Sequence, residues 1–282
     1  MIVSSYSELY SLMRDLFLKK APVVSSRICD TKEFIGFNFE LTNPRARLGY
    51  NARRGFNLPF ALSEFIFDVA GVNDVFLSAS VNAKTLDYSD DGNTFHGAYG
   101  PKISPNIGRI IEMLKVDKNC RQAVITIYNS TDMYVKTKDI PCTLSLQFLI
   151  RNDKLNMICS MRSNDFFFGL QYDLFRFTML QELIANELGI DVGSYYHLAG
   201  SMHVYKYHWE MLEDILEMES ILMPELNMRV CDCFKVARQM YGLSCGSDTC
   251  LDNDIIKIIA TRYFDNYEMP VSVWAERFVG KK

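Results

Sequence analysis

Two short runs concentrate the groups that could do chemistry. In DIPCTLSLQF, Cys142 follows Pro141 at the head of an alternating segment. In MRSNDFFFGLQYD, residues 161–173, Arg162, Ser163, Asn164 and Asp165 precede Phe166, Phe167 and Phe168, and Asp173 closes the run. A core strand avoids unpaired charge, and a solvated loop avoids adjacent phenylalanines. The mixture suits a concave site with apolar walls and a few placed polar groups. A cysteine at a strand head is either packing or a nucleophile. At an ordinary pKa of about 8.5 only a few per cent is thiolate at neutral pH, so catalysis needs a nearby cation. A hairpin running out from Cys142 and back to Arg162 places the two at the same end.

Other residues carry weaker signals. His203 and Tyr205 in SMHVYKYH share one face of a strand; the alternative is a half-buried strand edge. Glu64, among Leu62, Phe65, Ile66 and Phe67, is either on a solvated face or a buried general base, and alone it reads as solvated. Arg45, Arg47, Arg53 and Arg54 crowd one loop and read as solvated, with anion binding as the other reading. Cys231, Cys233, Cys245 and Cys250 do not have a zinc spacing and read as thiols. No P-loop, GxGxxG, GxSxG or HExxH pattern occurs.

The elements that must position these groups follow from periodicity. Helical spacing predicts helices over 5–19, 55–71 (stopped by Gly71), 104–117 and 173–189, the last strongly apolar, central and ended by Gly189. Residues 122–129, 142–150, 154–162 and 195–208 read as strands, and Asn152-Asp153 marks a hairpin turn. Only modest helices are legible after 208. Helices mixed with antiparallel strands, without regular βαβ alternation, predict an α+β fold.

Composition bounds the class. The chain has 282 residues, 49% hydrophobic and 23% charged, with net charge −4, so it can build a core without staples and has no general attraction to nucleic acid or an anionic membrane. The reading is one domain over 1–282, without signal peptide or membrane span. Its eight cysteines read as reduced thiols. The expected setting is the cytoplasm, or a host cytoplasm for a phage-encoded protein.

Taken in register, Arg121 ahead of a strand ending in YN, the Pro-Cys pair, RSND…G and HVY resemble the thymidylate synthase family, over roughly 100–208 and more loosely over 20–100. The resemblance implies an α+β fold with a mixed sheet packed against helices, and a homodimer packed sheet to sheet. It also implies transfer of one carbon from 5,10-methylenetetrahydrofolate, as co-substrate and with no metal, to C5 of a pyrimidine nucleoside monophosphate. On it, Cys142 is the nucleophile for C6 of the base, and Arg162 lowers the thiol pKa and holds phosphate. Ser163 and Arg27 are phosphate ligands, and Arg121 is lent across the dimer. His203 and Tyr205 hold the sugar, Asp165 and Gly169 serve the folate side, and Glu64 and Tyr99 (in GAYG) manage water and the C5 proton.

The departures from the family pattern bear on substrate. Where synthases carry asparagine stands Asp173. An amide complements uracil O4 and N3–H, whereas a carboxylate accepts from a cytosine amino group and, when protonated, donates to N3. With Cys142-Thr143 and GSMHVY, this is similar to the deoxycytidylate hydroxymethylase branch, in which water completes the reaction. Ser163, where ribonucleotide-preferring relatives tend to have alanine, favours dCMP over CMP. The glycine-rich phosphate loop is replaced by SRICDTKEF, and the double arginine by Arg121-Gln122. The alternatives are a CMP-preferring hydroxymethylase of nucleoside-antibiotic synthesis, a reductive 5-methyl-dCMP or thymidylate synthase, and a non-catalytic nucleotide-binding relative.

Overall fold

The computed structural model describes residues 1–245 together with Ile255, Ile258 and Ile259. In chain order the elements are β1 (Ile2–Val3), α1 (Tyr6–Lys19), β2 (Val23–Val24), β3 (Thr31–Leu41), β4 (Leu48–Tyr50), α2 (Leu58–Ala70) and α3 (Val75–Val81). There follow α4 (Gly100–Val116), β5 (Val124–Thr126), β6 (Thr143–Arg151), β7 (Lys154–Asp165), α5 (Gly169–Leu188), β8 (Asp191–Tyr205), α6 (Trp209–Asp214), β9 (Glu219–Ile221) and α7 (Val230–Ser244).

Seven strands form one mixed sheet in the order β1-β3-β8-β7-β6-β5, with β2 paired to β3; β4 and β9 form a separate ribbon. The β6–β7 hairpin turns at Asn152 and Asp153, both at φ 53°, as a two-residue turn of primed type requires. β7 and β8 run parallel, so a crossover must join them, and α5 is that crossover. The helix is buried on nearly all sides, and it ends at Gly189 with φ 70°, the left-handed conformation that glycine adopts without strain. Its buried amide nitrogens are satisfied: Gln181 Nε2 donates to Leu155 O at 2.8 Å and Gln171 Nε2 to Gly49 O at 2.6 Å.

One sheet face lies under α5. Met157, Cys159 and Met161 on β7 alternate with less buried residues, and they neighbour Tyr195, His197 and Ala199 on β8. His197 is fully buried, stacks on Phe39 with ring centroids 5.1 Å apart, and meets Tyr195 Oη at 3.0 Å through Nδ1.

Several expectations need correction. The helix expected from 173 begins at Gly169, because the Asp165 carboxylate accepts from Phe167 N (3.0 Å) and Phe168 N (3.3 Å) and fixes an earlier turn. The strand expected over 122–129 is regular only at Val124–Thr126, with flanking hydrogen bonds to its neighbour at Ala123 and Ile127. The helix expected from 104 starts at Gly100, and that from 55 at Leu58, capped by the Asn57 side chain. The long β3 carries no regular alternation and was not anticipated.

Candidate active site

The sheet brings its chemistry to one end. Because β7 and β8 are parallel while β6 and β3 oppose them, the ends of β7 and β8 meet the starts of β6 and β3. Cys142 stands at the head of β6, Arg162, Ser163 and Asp165 at the end of β7, and His203 and Tyr205 at the end of β8. The first turns of α5 add Gly169 and Asp173. Tyr99 caps α4, and Glu64 faces this end from the middle of α2.

Arg162 is tied to the cysteine loop. Its backbone N donates to Cys142 O at 2.8 Å, its Nε to Pro141 O at 3.0 Å and its Nη2 to Ile140 O at 2.9 Å. The seam between β7 and β8 is narrow here: a Cβ on Gly200 would lie 2.9 Å from the Arg162 carbonyl oxygen. The neighbourhood of Cys142 and Arg162 is as the hairpin reading requires, but its electrostatic outcome differs. Burial pushes the Cys142 thiol above its ordinary range, Arg162 opposes this, and Asp173 and Asp139 add to it. Burial prevails, so the cysteine is not held as a ready thiolate.

Asp173 accepts from Asn164 Nδ2 at 2.7 Å, which occupies one carboxylate oxygen. Burial raises its pKa to about 6 against the pull of Arg176 and Asn164. Asn164 is itself buried and its Oδ1 has no partner. Gly169 leaves room beside this pair: a Cβ there would lie 3.4 Å from Asn164 Nδ2 and 3.8 Å from Asp173 Oδ2.

Glu64 belongs to an ionic cluster rather than to a solvated face. Arg176 Nη1 donates to Glu64 Oε1 at 3.2 Å, while its Nε and Nη2 donate to the two oxygens of Asp68 at 2.8 and 2.6 Å. Burial raises Glu64 to about 7, with Arg176 opposing and Asp173 and Asp68 adding. The Arg176 guanidinium lies 4.6 Å from the centroid of the Tyr99 ring. The Tyr99 hydroxyl accepts from Thr143 N at 3.2 Å and Thr143 Oγ1 at 3.1 Å, and burial raises its pKa.

On β8, His203 is buried and lies edge-on to Tyr205 with centroids 4.9 Å apart; Ser163 Oγ meets His203 Nδ1 at 3.5 Å. Burial lowers the His203 pKa, while Asp165 and Glu33 pull it up. Glu33 is the cross-strand partner of His203 and accepts a short hydrogen bond from Ser201 Oγ.

Not every expected residue joins the group. Arg121 lies at the far end of the sheet in its own chain, where its carbonyl accepts from Gln147 Nε2 at 2.9 Å. Arg27 is exposed in the loop between β2 and β3, near Tyr205 through the Thr31–Tyr205 pair. The apolar wall expected from three phenylalanines reduces to Phe168, 36% exposed. Phe166 stacks in the core on Tyr10 and Phe17, and Phe167 packs against His208 and beneath Arg54.

The four arginines expected in one loop are split by β4 and are not simply solvated. Arg47 is fully buried, and with Arg45 it is paired to Glu182. Arg54 donates to Phe167 O at 2.9 Å, and Arg53 alone is exposed, paired to Asp214. Among the described residues no cluster of His, Cys, Asp and Glu suited to a metal forms, and no helix is long and apolar enough to cross a membrane. Cys231 and Cys245 are exposed and Cys233 is buried, while Cys250 lies outside the described residues. An open cleft of about 600 Å³ at the other end of α5, lined by Arg45, Asn186, Asp191 and Arg229, contains none of the site residues.

Arg176 and Asp68 escaped the sequence reading, and Asn164, though it stands in the run 161–173, was given no role there. Glu64 and Asp68, four apart on an apolar helix, already signal a face needing a cation, and Arg176 in the equally apolar α5 was its available partner.

Comparison with known proteins places these observations. The thymidylate synthase family model matches residues 88–241. Curated relatives include proteins named deoxyuridylate hydroxymethyltransferase. That of Bacillus phage SP01 is 31% identical over 238 residues, covering 77% of this chain and 62% of the relative. That of Pseudomonas phage M6 is 33% identical over 171 residues, covering 58% and 49%. That of Delftia phage PhiW-14 is 31% identical over 203 residues, covering 66% and 56%. The chain thus spans about half to three fifths of the length of these relatives. A thermostable thymidylate synthase A from Bacillus subtilis superposes with TM-score 0.64 at 18% identity, over 79% of this chain and 87% of the other, and so shares the fold. With the α+β mixed sheet, the match over more than half of its length shows that this chain belongs to the thymidylate synthase family.

Proposed function

We propose that the protein is a folate-dependent one-carbon transferase acting as a cytidylate 5-hydroxymethylase, with dCMP as substrate and CMP as its nearest competitor. The observation that carries the substrate is Asp173, a carboxylate held by Asn164 within electrostatic reach of Cys142. Ionised, it accepts from the cytosine amino group and repels uracil O4. A mismatched buried group costs about 1–3 kcal/mol.

When bound, 5,10-methylenetetrahydrofolate supplies the carbon as an electrophile. The residues present suit it: Asp165 offers carboxylate oxygens at the head of α5, and Phe168 offers an exposed ring beside them. The chain's own groups act on the pyrimidine. Cys142 Sγ adds to C6 and makes C5 nucleophilic. Glu64 and Tyr99 move protons at C5 and at the water that completes the product. The Cys142–C6 bond then breaks, Sγ leaving with the electron pair. Arg162 and Ser163 face the phosphate, and His203 and Tyr205 the sugar.

The active form is a homodimer packed through the outer sheet face, where Leu198 is 42% exposed and Ile35 86%. Arg121, remote from Cys142 in its own chain, then serves the second subunit's site. Mixing inactive Cys142→Ala and Arg121→Ala proteins should restore activity through mixed dimers; no recovery would remove the shared site.

A second reading, deoxyuridylate as substrate, is favoured by the names of the phage relatives. The deciding assay offers 5,10-methylenetetrahydrofolate with dCMP, CMP or dUMP and weighs the products. The expected result is a gain of one CH₂O unit on dCMP. A gain on dUMP alone would replace the substrate assignment, and a gain of CH₂ with formation of dihydrofolate would replace the hydroxymethyl outcome.

A further inference from the structure

The buried cation between α2 and α5 has no role in the reaction as described so far. Arg176, with a side chain 12% exposed, touches three groups at once. It holds Asp68, 4% exposed, through two nitrogens, reaches Glu64, 22% exposed, through a third, and lays its guanidinium over the Tyr99 ring. Glu64 and Tyr99 come from different helices, and Arg176 is the one side chain described as touching both. The Asp68 clamp is bidentate, so the guanidinium plane is fixed.

We propose that Arg176 is a positioning residue for the hydroxymethyl transfer: clamped by Asp68 and stacked on Tyr99, it keeps Glu64 ionised and oriented to accept a proton from the attacking water. This rests on the hydroxymethylase reading above. In that step the water oxygen bonds to the exocyclic methylene carbon on C5, and its proton passes to Glu64. The methylene π electrons move into the ring, and the Cys142–C6 bond then breaks to restore the C5–C6 double bond. Without the cation, a carboxyl buried among acids would hold its proton. The groups acting on Glu64 are Arg176 and Asp173 from α5, Asp68 from α2, and Tyr172 from α5. Of these, only Arg176 favours the ionised form.

The charge arrangement predicts opposite responses from two variants. Arg176→Met should move the acid limb of the kcat/KM profile to higher pH and lower kcat about tenfold or more, while the nucleotide KM changes less than about threefold. Asp68→Asn removes a negative neighbour and should move the limb to lower pH. Arg176→Lys should restore part of the shift but less of the rate, since an ammonium cannot span both acids in one plane. The same directions should appear in the ¹³C NMR titration of the Glu64 carboxyl, assigned with Glu64→Gln, which requires no turnover. Shifts of the same sign in both charge-removing variants, or an unmoved Glu64 titration, would overturn the role. A wild-type enzyme inert toward all three nucleotides would instead overturn the hydroxymethylase reading, with the carboxyl titration still deciding whether Arg176 controls Glu64. If Arg176→Met does not fold, the Asp68→Asn and Arg176→Lys pair carries the test.

Discussion

Helix α5 carries two buried ionic clusters of opposite balance. Near its N-terminal end one cation, Arg176, serves Glu64 and Asp68, with Asp173 close by. Two turns further on, one anion, Glu182, sits between Arg45 and Arg47 and also accepts from Leu226 N at 3.0 Å. Both are desolvated, yet their acids respond oppositely. Glu64 and Asp173 rise to about 7 and about 6, whereas the two arginines hold Glu182 below its usual range. Several buried acids around one cation leave protons that can be exchanged near neutrality; two cations on one buried acid fix its carboxylate as a structural tie.

The largest contrast is expected from substituting one acid in each cluster. Glu64→Gln should lower turnover about 10²–10⁴-fold, as removal of a general base does. It should not lower stability at about pH 8. The folded pKa of Glu64 lies above its unfolded value, so its favourable contribution is present below the unfolded value and lost as pH rises through about 7. The melting temperature of Glu64→Gln should match or exceed wild type at high pH and lose that advantage in acid. Glu182→Ala should do the reverse, costing about 3–5 kcal/mol in urea unfolding because it strands the fully buried Arg47, while Arg45 keeps Asp191. Nε and Nη1 of Arg47 already lack partners, which adds to that cost. If both variants changed stability alike, the distinction between poised and fixed clusters would fail.

A smaller effect sharpens the poised side. Asp173→Asn should shift preference toward dUMP by about 10–100-fold, the equivalent of about 1–3 kcal/mol. In the wild type the ratio of dCMP to dUMP turnover should rise with pH through about 6, since ionised Asp173 repels uracil O4. Competition assays at several pH values measure it, and a flat ratio would mean that another residue reads the ring.

The most gradual expected effect, spread over several pH units, concerns His197, which belongs to neither cluster. Burial lowers its pKa to about 3. A folded value below the unfolded one means its contribution is intact above about 6.5 and is lost progressively as pH falls toward 3, at about 1.4 kcal/mol per unit of pH. His197→Gln should therefore flatten the acid limb of a stability profile relative to wild type, whatever its cost at neutral pH. An unchanged slope between pH 6 and pH 4 would exclude this source.

What the sequence revealed and what it hid follow one division. Local signals were readable: Gly71 and Gly189 as helix ends, Asn152-Asp153 as a tight turn, and Cys142 and Arg162 as neighbours across a hairpin. Hidden features depend on pairing between distant segments. Arg176 lies 108 and 112 residues from the acids it holds. The burial of Phe166 is decided by Tyr10 and Phe17, far upstream. β3 gave no period-2 signal because Gly36, at φ 66°, interrupts its middle and its faces are unevenly covered. Motif order named residues that the sheet gathers at one end, but whether Glu64 was solvated or Cys142 activated depended on desolvation, which no linear spacing encodes.

The missing side chain at Gly200 makes the spacing of two strands a remote tuning screw for the thiol. An added methyl would press on the Arg162 carbonyl, and the strand bearing it could yield only by drifting outward. That drift would loosen the grip of the same residue on Ile140 and Pro141, so a change made on the neighbouring strand would register in how fast Cys142 reacts with an alkylating reagent.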